Sequence, residues 1–278
     1  RGPAAGGLPS FLGDFTHMVY ERVSDRLFLG TSALLFAGSA VATVVWCGSM
    51  SAHGGMPMPG GWSMSMAWML MPGQSWPAAA ASFLGMWLVM MLAMMLPALV
   101  PALSRYRQAV DSTREPRLGW LTALVGLAYF FVWMLFGMAV FPLGSALATV
   151  EMQRPSLARA VPLAAGVVVL IGGALQFSAW KAHHLACCRE LPRRRDSLRA
   201  DARTAWRYGL RLGLHCLRCS AGLTAILLVL GVMDLRAMAI VTAAMTLERV
   251  APSGKLAARA IGVAAVGTGL VLIARTVM

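Results

Sequence analysis

The chain has 278 residues, of which 58% are hydrophobic and 13% charged, with a formal net charge of +13. A soluble domain carries roughly 25% charged residues, whereas here the charges come in blocks between long uncharged apolar runs. This pattern excludes an ordinary soluble domain and indicates a polytopic helical membrane protein. No basic stripe interleaved with aromatic residues lies outside the predicted loops, so we expect no nucleic-acid partner.

Seven hydrophobic segments follow one another along the chain, each near the roughly 20 residues that cross a bilayer. They predict an all-α bundle of about seven transmembrane helices. Residues 1–26 are predicted to be a cytoplasmic N-terminal segment, and residues 27–278 a single transmembrane helical domain. The predicted spans are 27–47, 79–101, 118–145, 161–182, 208–232, 235–250 and 256–276.

The distribution of Lys and Arg predicts the orientation. Most of these residues fall on one side if the N-terminus is cytoplasmic and the C-terminus is outside, as the positive-inside rule requires. The chain is therefore predicted to be a multi-pass protein of the cytoplasmic membrane. This orientation defines a methionine-rich outer loop, 48–78, and a basic cytoplasmic loop, 183–207.

The outer loop is rich in Met, Gly, Pro and Trp and contains no charged residue. Thioethers are soft ligands that select copper(I) and remain useful where thiols would be oxidised. The Gly and Pro content argues against a packed core helix. We therefore expect a possible outer metal site, formed by Met56, Met58, Met64, Met66 and His53.

The second span carries a methionine pattern of its own. Met86, Met90 and Met94 are spaced i, i+4, i+8 and share one helix face. They predict a possible thioether route for a soft metal, although methionine is also an adaptable packing residue in helical cores. Pro97 and Pro101 are expected to kink or end this helix.

Cysteine and histidine cluster in two short stretches on either side of the basic loop. His183 with Cys187 and His184 with Cys188 are i, i+4 pairs, which lie about 5–6 Å apart at Cβ on a helix. Cys216 and Cys219 form an i, i+3 pair on the following span. If the two helices meet, the ligands converge on a copper or zinc ion, because thiolates and imidazoles bind soft and borderline metals. The candidate site is His184, Cys188, Cys216 and Cys219, with His183 and Cys187 as outer members.

Other interpretations of this cluster remain open. Apolar helices tolerate cysteine as a small hydrophobe, and a C-x-x-C pair supports thiol redox chemistry, although the cytosol keeps thiols reduced. Three arginines near the cysteines are expected to favour the thiolates: Arg189, Arg193 and Arg218. Glu248 and Arg249, at the end of the sixth span, are expected to reach water.

Three stretches carry a family resemblance: Met86–Pro101, Gln176–Pro192 and Trp206–Gly254. They resemble a family of bacterial multi-pass proteins known as predicted metal-binding integral membrane proteins, a domain of unknown function. The resemblance implies a metal-related role. The chain departs from the family pattern where His184 replaces a cysteine, where Ser220 replaces another, and where Arg218 replaces a small residue.

Together these patterns favour a soft-metal-binding membrane protein, copper before zinc, that takes part in metal transport or delivery. Its expected partners are the bilayer, other membrane subunits or a metal-delivery protein. The alternative is a non-catalytic structural subunit of a larger membrane complex, since small residues in the helices permit close packing. A membrane enzyme ranks last, because no acid–base pair with suitable spacing lies within the spans.

Overall fold

The computed structural model describes residues 8–52, 56–59, 61–65, 68–69, 73–111, 117–190 and 199–278. Within these residues the chain forms eight α-helices and one short β-hairpin, which confirms an all-α bundle. The hairpin consists of β1 (Met56–Met58) and β2 (Trp62–Met64). The helices are α1 (Leu8–Ala52), α2 (Trp76–Asp111), α3 (Leu118–Gln153), α4 (Pro155–Leu175), α5 (Ala179–Glu190), α6 (Ala202–Leu230), α7 (Leu235–Val250) and α8 (Gly254–Val277).

Six of the helices are long and apolar enough to cross a membrane, and each corresponds to a predicted span. The exception among the seven predictions is α7, which covers 235–250 as expected but has only 16 residues. At 1.5 Å per residue it extends about 24 Å, less than the roughly 30 Å hydrocarbon core. The six apolar stretches are Ser24–Ser49, Trp76–Val110, Leu118–Gln153, Pro155–Leu175, Ala202–Leu230 and Gly254–Val277.

The fourth predicted span, 161–182, is not one helix. Helix α4 ends at Leu175, and α5 begins at Ala179. In the tight turn between them, the Ser178 N–H donates to the Leu175 carbonyl at 3.1 Å. The Ser178 hydroxyl then accepts from the Lys181 backbone N–H at 3.1 Å, as an N-cap does. This break matters because α5 carries four of the predicted metal ligands as a separate helix.

Close helix packing sets the direction of α6 relative to α3. A Cβ atom on Gly209 would meet the Val125 carbonyl, and one on Gly213 would lie 2.9 Å from Val132. From the first contact to the second, the residue numbers increase on both helices, so α3 and α6 run parallel. Glycine at these positions lets the backbones approach closely, as small residues do between membrane helices.

The last helix, α8, runs antiparallel along α4. A Cβ atom on Gly166 would lie 2.7 Å from Ile273, whereas one on Gly173 would lie 2.8 Å from the backbone of Val266. Since α3 and α4 are joined directly at Arg154, α3, α6 and α8 run in one direction and α4 in the other. The short α7, which links α6 to α8, returns through the bundle.

Two prolines do not end α2. The helix continues past Pro97 and Pro101 to Asp111, so of the two expected effects, a kink or an end, the end does not occur. Tertiary packing supports the helix on both sides of them: Trp87 is fully buried, its indole N–H donates to the Trp133 carbonyl at 3.0 Å, and Gly137 leaves room for its ring.

The β-hairpin covers one end of α3 and α4. Cross-strand pairing places Met56 opposite Met64 and Met58 opposite Trp62, so these four side chains share one face. Trp62 donates its indole N–H to the Ala158 carbonyl at 2.9 Å. That carbonyl lacks its normal helical donor, because residue 162 is a proline. The hairpin is therefore held to α4 by a hydrogen bond to a carbonyl that has no donor within the helix.

Candidate metal centre

Three cysteines from two helices lie together in the interior of the bundle. Cys188 on α5 and Cys219 on α6 have their sulfur atoms 3.7 Å apart. Cys216, one turn earlier on α6, is fully buried, and Cys219 and Cys188 are 1% and 5% exposed. The hydrogen bond to Cys219 and burial raise the pKa of the Cys188 thiol. The predicted convergence of the two stretches is therefore present in the fold.

A guanidinium group lies against the cysteine sulfurs. Arg249, at the end of α7, places Nη2 2.8 Å from Cys216 Sγ and 3.5 Å from Cys219 Sγ. Among the predicted countercharges, Arg218 is exposed, Arg189 donates to the Glu248 carbonyl at 2.8 Å, and Arg193 lies outside the described residues. The cation in contact with the thiols thus comes from a different helix than expected.

The Cys216 and Cys219 sulfurs also contact neutral groups. The Tyr129 hydroxyl lies 2.8 Å from Cys216 Sγ, and both groups are buried. Cys219 Sγ lies 3.3 Å from the Cys216 carbonyl, to which the Ser220 hydroxyl donates at 2.6 Å. Because the Ser220 hydroxyl bonds to a carbonyl of its own helix, its side chain does not contribute to the sulfur cluster.

The histidines form a separate layer next to the thiols. His184 Nδ1 lies 3.1 Å from His215 Nδ1, so the fold brings His184 to His215. Burial, and then the neighbouring His215 and the charge of Arg218, lower the pKa of His184, which keeps its imidazole neutral and able to bind a metal. Cys187 Sγ lies 3.8 Å from His183 Nε2 as the predicted i, i+4 pair.

An ion pair anchors α5 against α7. Lys181 Nζ lies 2.8 Å from Glu248 Oε2, and both side chains are almost completely buried. Glu248 therefore does not reach water, contrary to expectation. The C-terminal part of α5 is held as well, because Arg105 on α2 donates to the Cys188 carbonyl at 3.2 Å. Together these contacts fix the position of Cys188 relative to α6.

The methionines of the predicted route are all buried. Met86, Met90 and Met94 face the bundle core on α2, in the same cluster of packed side chains as Cys188, Cys216 and Cys219. Their burial fits both a thioether route and ordinary core packing, so the route stays a prediction.

The outer methionine site is described only in part. Met58 and Met64 are buried against the ends of α3 and α4, whereas Met56 is 39% exposed. The other two predicted members, His53 and Met66, lie outside the described residues. Three thioethers share one face of the hairpin, and the proposed ligand set remains a prediction.

As the side chains stand, no three His, Cys, Asp or Glu residues in the described ranges are arranged to hold a metal ion. The sulfurs of Cys216 and Cys219 are spanned by the guanidinium of Arg249. Chemically, the cluster offers two or three soft donors, a fixed positive charge and a nearby imidazole pair. Such a set can bind copper(I) if the guanidinium moves away.

Sequence reasoning missed Arg249 and Tyr129. A charged residue at a helix end is expected to reach water, and Arg249 has such a position. Tyr129 lies in an apolar run, and no sequence pattern distinguishes it from its neighbours. Arg249 does lie beside an acidic residue in a chain with few acidic residues, and this could have suggested a buried charge network. His215 directly precedes the C-x-x-C pair in the sequence, but its pairing with His184 depends on how α5 packs on α6.

Comparison with known protein families gives a match over more than half of the chain. The family model described as PpoB2, copper chaperone, matches residues 84–272. The matched region includes α3 to α7, most of α2 and all three cysteines of the cluster. No curated protein and no solved structure matches the chain.

Proposed function

The chain belongs to this copper chaperone family, and on that premise we propose that it is an integral membrane protein that binds copper(I) and transports or delivers it. The observation that carries the proposal is the sulfur cluster of Cys188, Cys216 and Cys219, which two helices bring together in the bundle interior. Copper is cargo in this proposal, so the site has to release the ion as well as hold it.

The donors favour copper(I) over zinc. Structural zinc sites use four ligands in a tetrahedral arrangement, and His184, the fourth ligand of the predicted set, is paired with His215. Copper(I) is selected by soft thiolate and thioether ligands and is satisfied by the two or three sulfurs already present. The buried methionines of α2 add soft donors of the same kind.

Arg249 supports reversible loading. Its guanidinium carries one positive charge and contacts the sulfurs that copper(I) would take. A copper(I) ion also carries one positive charge, so the ion replaces the guanidinium charge for charge, and each thiol that binds the ion releases its proton to solvent. In a medium of low dielectric constant, such an exchange avoids the large cost of an uncompensated buried charge.

The proposal is tested by copper(I) titration of the purified protein against a chromophoric copper(I) chelator in detergent. The variant that combines Cys188→Ser with Cys216→Ser removes two of the three sulfurs. We expect it to lose the copper equivalent of this cluster, because a hydroxyl is a hard, weak ligand for copper(I).

Cys187→Ser is the matched control. It replaces a half-buried cysteine that directly precedes Cys188 on the same helix. The sulfur of Cys187 lies next to His183 and not in the cysteine cluster. We expect this variant to retain the copper equivalent. Equal copper content in wild type and in the Cys188→Ser, Cys216→Ser variant would refute the proposed centre.

A further inference from the structure

A second pair of sulfur atoms lies far from the cysteine cluster. Cys47 Sγ on α1 is 3.7 Å from Met233 Sδ, although the two residues are 186 positions apart in the chain. Met233 lies in the turn between α6 and α7. We propose that Cys47 and Met233 form a second copper(I) site, an inference that rests on the proposed copper function but uses different residues.

The position of Cys47 on its helix is unusual. Between residues 24 and 49, where the side chains of α1 are described, only Ser39 and Cys47 are buried. The Ser39 hydroxyl donates to the Phe36 carbonyl of its own helix at 3.0 Å. Cys47, 3% exposed, is therefore the buried side chain at this end of the described part of α1, beside the partly buried Trp46, and its sulfur meets a soft donor there.

Met233 is held by the turn around it. Gly231 ends α6 with φ of 125°, a conformation that favours glycine, and its carbonyl accepts from Asp234 N–H at 3.1 Å. The Asp234 carboxylate then caps α7 by accepting from the Arg236 N–H at 2.8 Å and the Ala237 N–H at 3.2 Å. With a helix end fixed on each side, the thioether is preorganised toward Cys47.

The spacing suits a two-coordinate soft ion. Two metal–sulfur bonds of about 2.3 Å, the length of a zinc–thiolate bond, on opposite sides of an ion place the sulfurs about 4.6 Å apart. By this measure the observed 3.7 Å needs an adjustment of under about 1 Å. On binding, the S–H bond of Cys47 breaks, its proton leaves to solvent, and a sulfur–copper bond forms. Thiolate and copper(I) together are neutral, which suits an apolar surrounding.

This pair is separate from the cysteine cluster. Cys219 precedes Leu230, the last residue of α6, by 11 positions, which corresponds to about 16 Å along the helix. One ion cannot bridge that distance. Between the two sites α7 carries Met238 and Met245, both buried and seven positions apart on one face. The spacing of these thioethers extends a line of soft donors from Met233 toward the cysteine cluster.

The test is copper(I) stoichiometry in detergent, measured for wild type, Cys47→Ser and Met233→Leu by chelator competition. Met233→Leu conserves volume and removes only the sulfur donor, so the fold is retained. Met138→Leu, at an exposed position on α3, is the matched control. We expect Cys47→Ser and Met233→Leu each to lose the same single equivalent of copper(I), and Met138→Leu to lose none.

Comparison with the Cys188→Ser, Cys216→Ser variant separates this inference from the proposed function. Full copper content in Cys47→Ser and Met233→Leu, with loss in the double serine variant, would overturn only the second site. Loss in Cys47→Ser alone would overturn it too, because the site requires both donors. Loss in Cys47→Ser and Met233→Leu, with none in the double serine variant, would overturn the cysteine centre instead.

Discussion

Replacement of Lys181 by methionine should strongly destabilise the protein. Lys181 and Glu248 form a buried ion pair with a separation of 2.8 Å and side chains that are 5% and 3% exposed. Lys181→Met leaves Glu248 buried without its cation, and its Oε1 already lacks a hydrogen-bond partner in the described structure. Removal of one partner from a buried pair costs about 3–5 kcal/mol.

The double variant Lys181→Met, Glu248→Leu should recover most of this loss. When both charges are replaced by apolar groups of similar volume, the change in stability is close to neutral or even favourable. The measurement is the free energy of unfolding, from titration with a denaturing detergent followed by circular dichroism. Arg199→Met is the matched control, since Arg199 and Asp201 form an exposed pair at 3.9 Å, worth about 0–1 kcal/mol.

The loss in Lys181→Met should depend on pH. Burial raises the pKa of Glu248 even with Lys181 present, and removal of the lysine raises it further. A carboxyl group whose pKa is raised in the folded state stabilises that state below its unfolded pKa, about 4.3, and loses this contribution as the pH rises. The variant should therefore recover stability from pH 8 toward pH 5. A deficit below about 1 kcal/mol at pH 8 would refute the buried-pair argument.

Three further substitutions test other contacts in the fold. Gly209→Ala should lower the free energy of unfolding by about 1–3 kcal/mol, because its Cβ would meet the α3 backbone; Gly126→Ala, where a Cβ has open space, should be neutral or stabilising by up to about 1 kcal/mol. Trp62→Phe should increase proteolysis of the hairpin, since it removes the hydrogen bond to α4; unchanged cleavage would contradict that role. Tyr129→Phe should cost about 1 kcal/mol with copper content unchanged, and loss of copper would instead make Tyr129 part of the site.

Hydrophobic length predicted the long helices well, because a long apolar run has few alternatives to a helix. Backbone groups in hydrocarbon must be satisfied within the helix, so a sufficiently long apolar run defines the element. The same signal cannot locate a break inside a run. The turn before α5 depends on Ser178, whose hydroxyl accepts from Lys181 N–H, and the apolar pattern across Gln176 and Phe177 gives no sign of it.

The candidate site was predictable in its cysteines and only partly in its other members. The i, i+4 spacing of His184 and Cys188 and the i, i+3 spacing of Cys216 and Cys219 place each pair on one helix face by helix geometry alone. Which imidazole joins them depends on the angle at which α5 packs on α6, and that angle pairs His184 with His215. Side-chain spacing within a helix is a local property, whereas the meeting of two helices depends on all their neighbours.

The end of α7 explains why a rule about helix ends failed here. Glu248 and Arg249 are consecutive, so their side chains point about 100° apart around the helix axis. One therefore reaches Lys181 on α5, and the other reaches Cys216 on α6. The end of α7 thus contacts both helices that carry the cysteines. It contacts α5 through the negative Glu248 and α6 through the positive Arg249. If copper(I) displaces the guanidinium, the contact of Arg249 with Cys216 on α6 is lost, while the ion pair of Glu248 with Lys181 on α5 remains. Binding would thus loosen one side of the cluster and leave Cys188 in place.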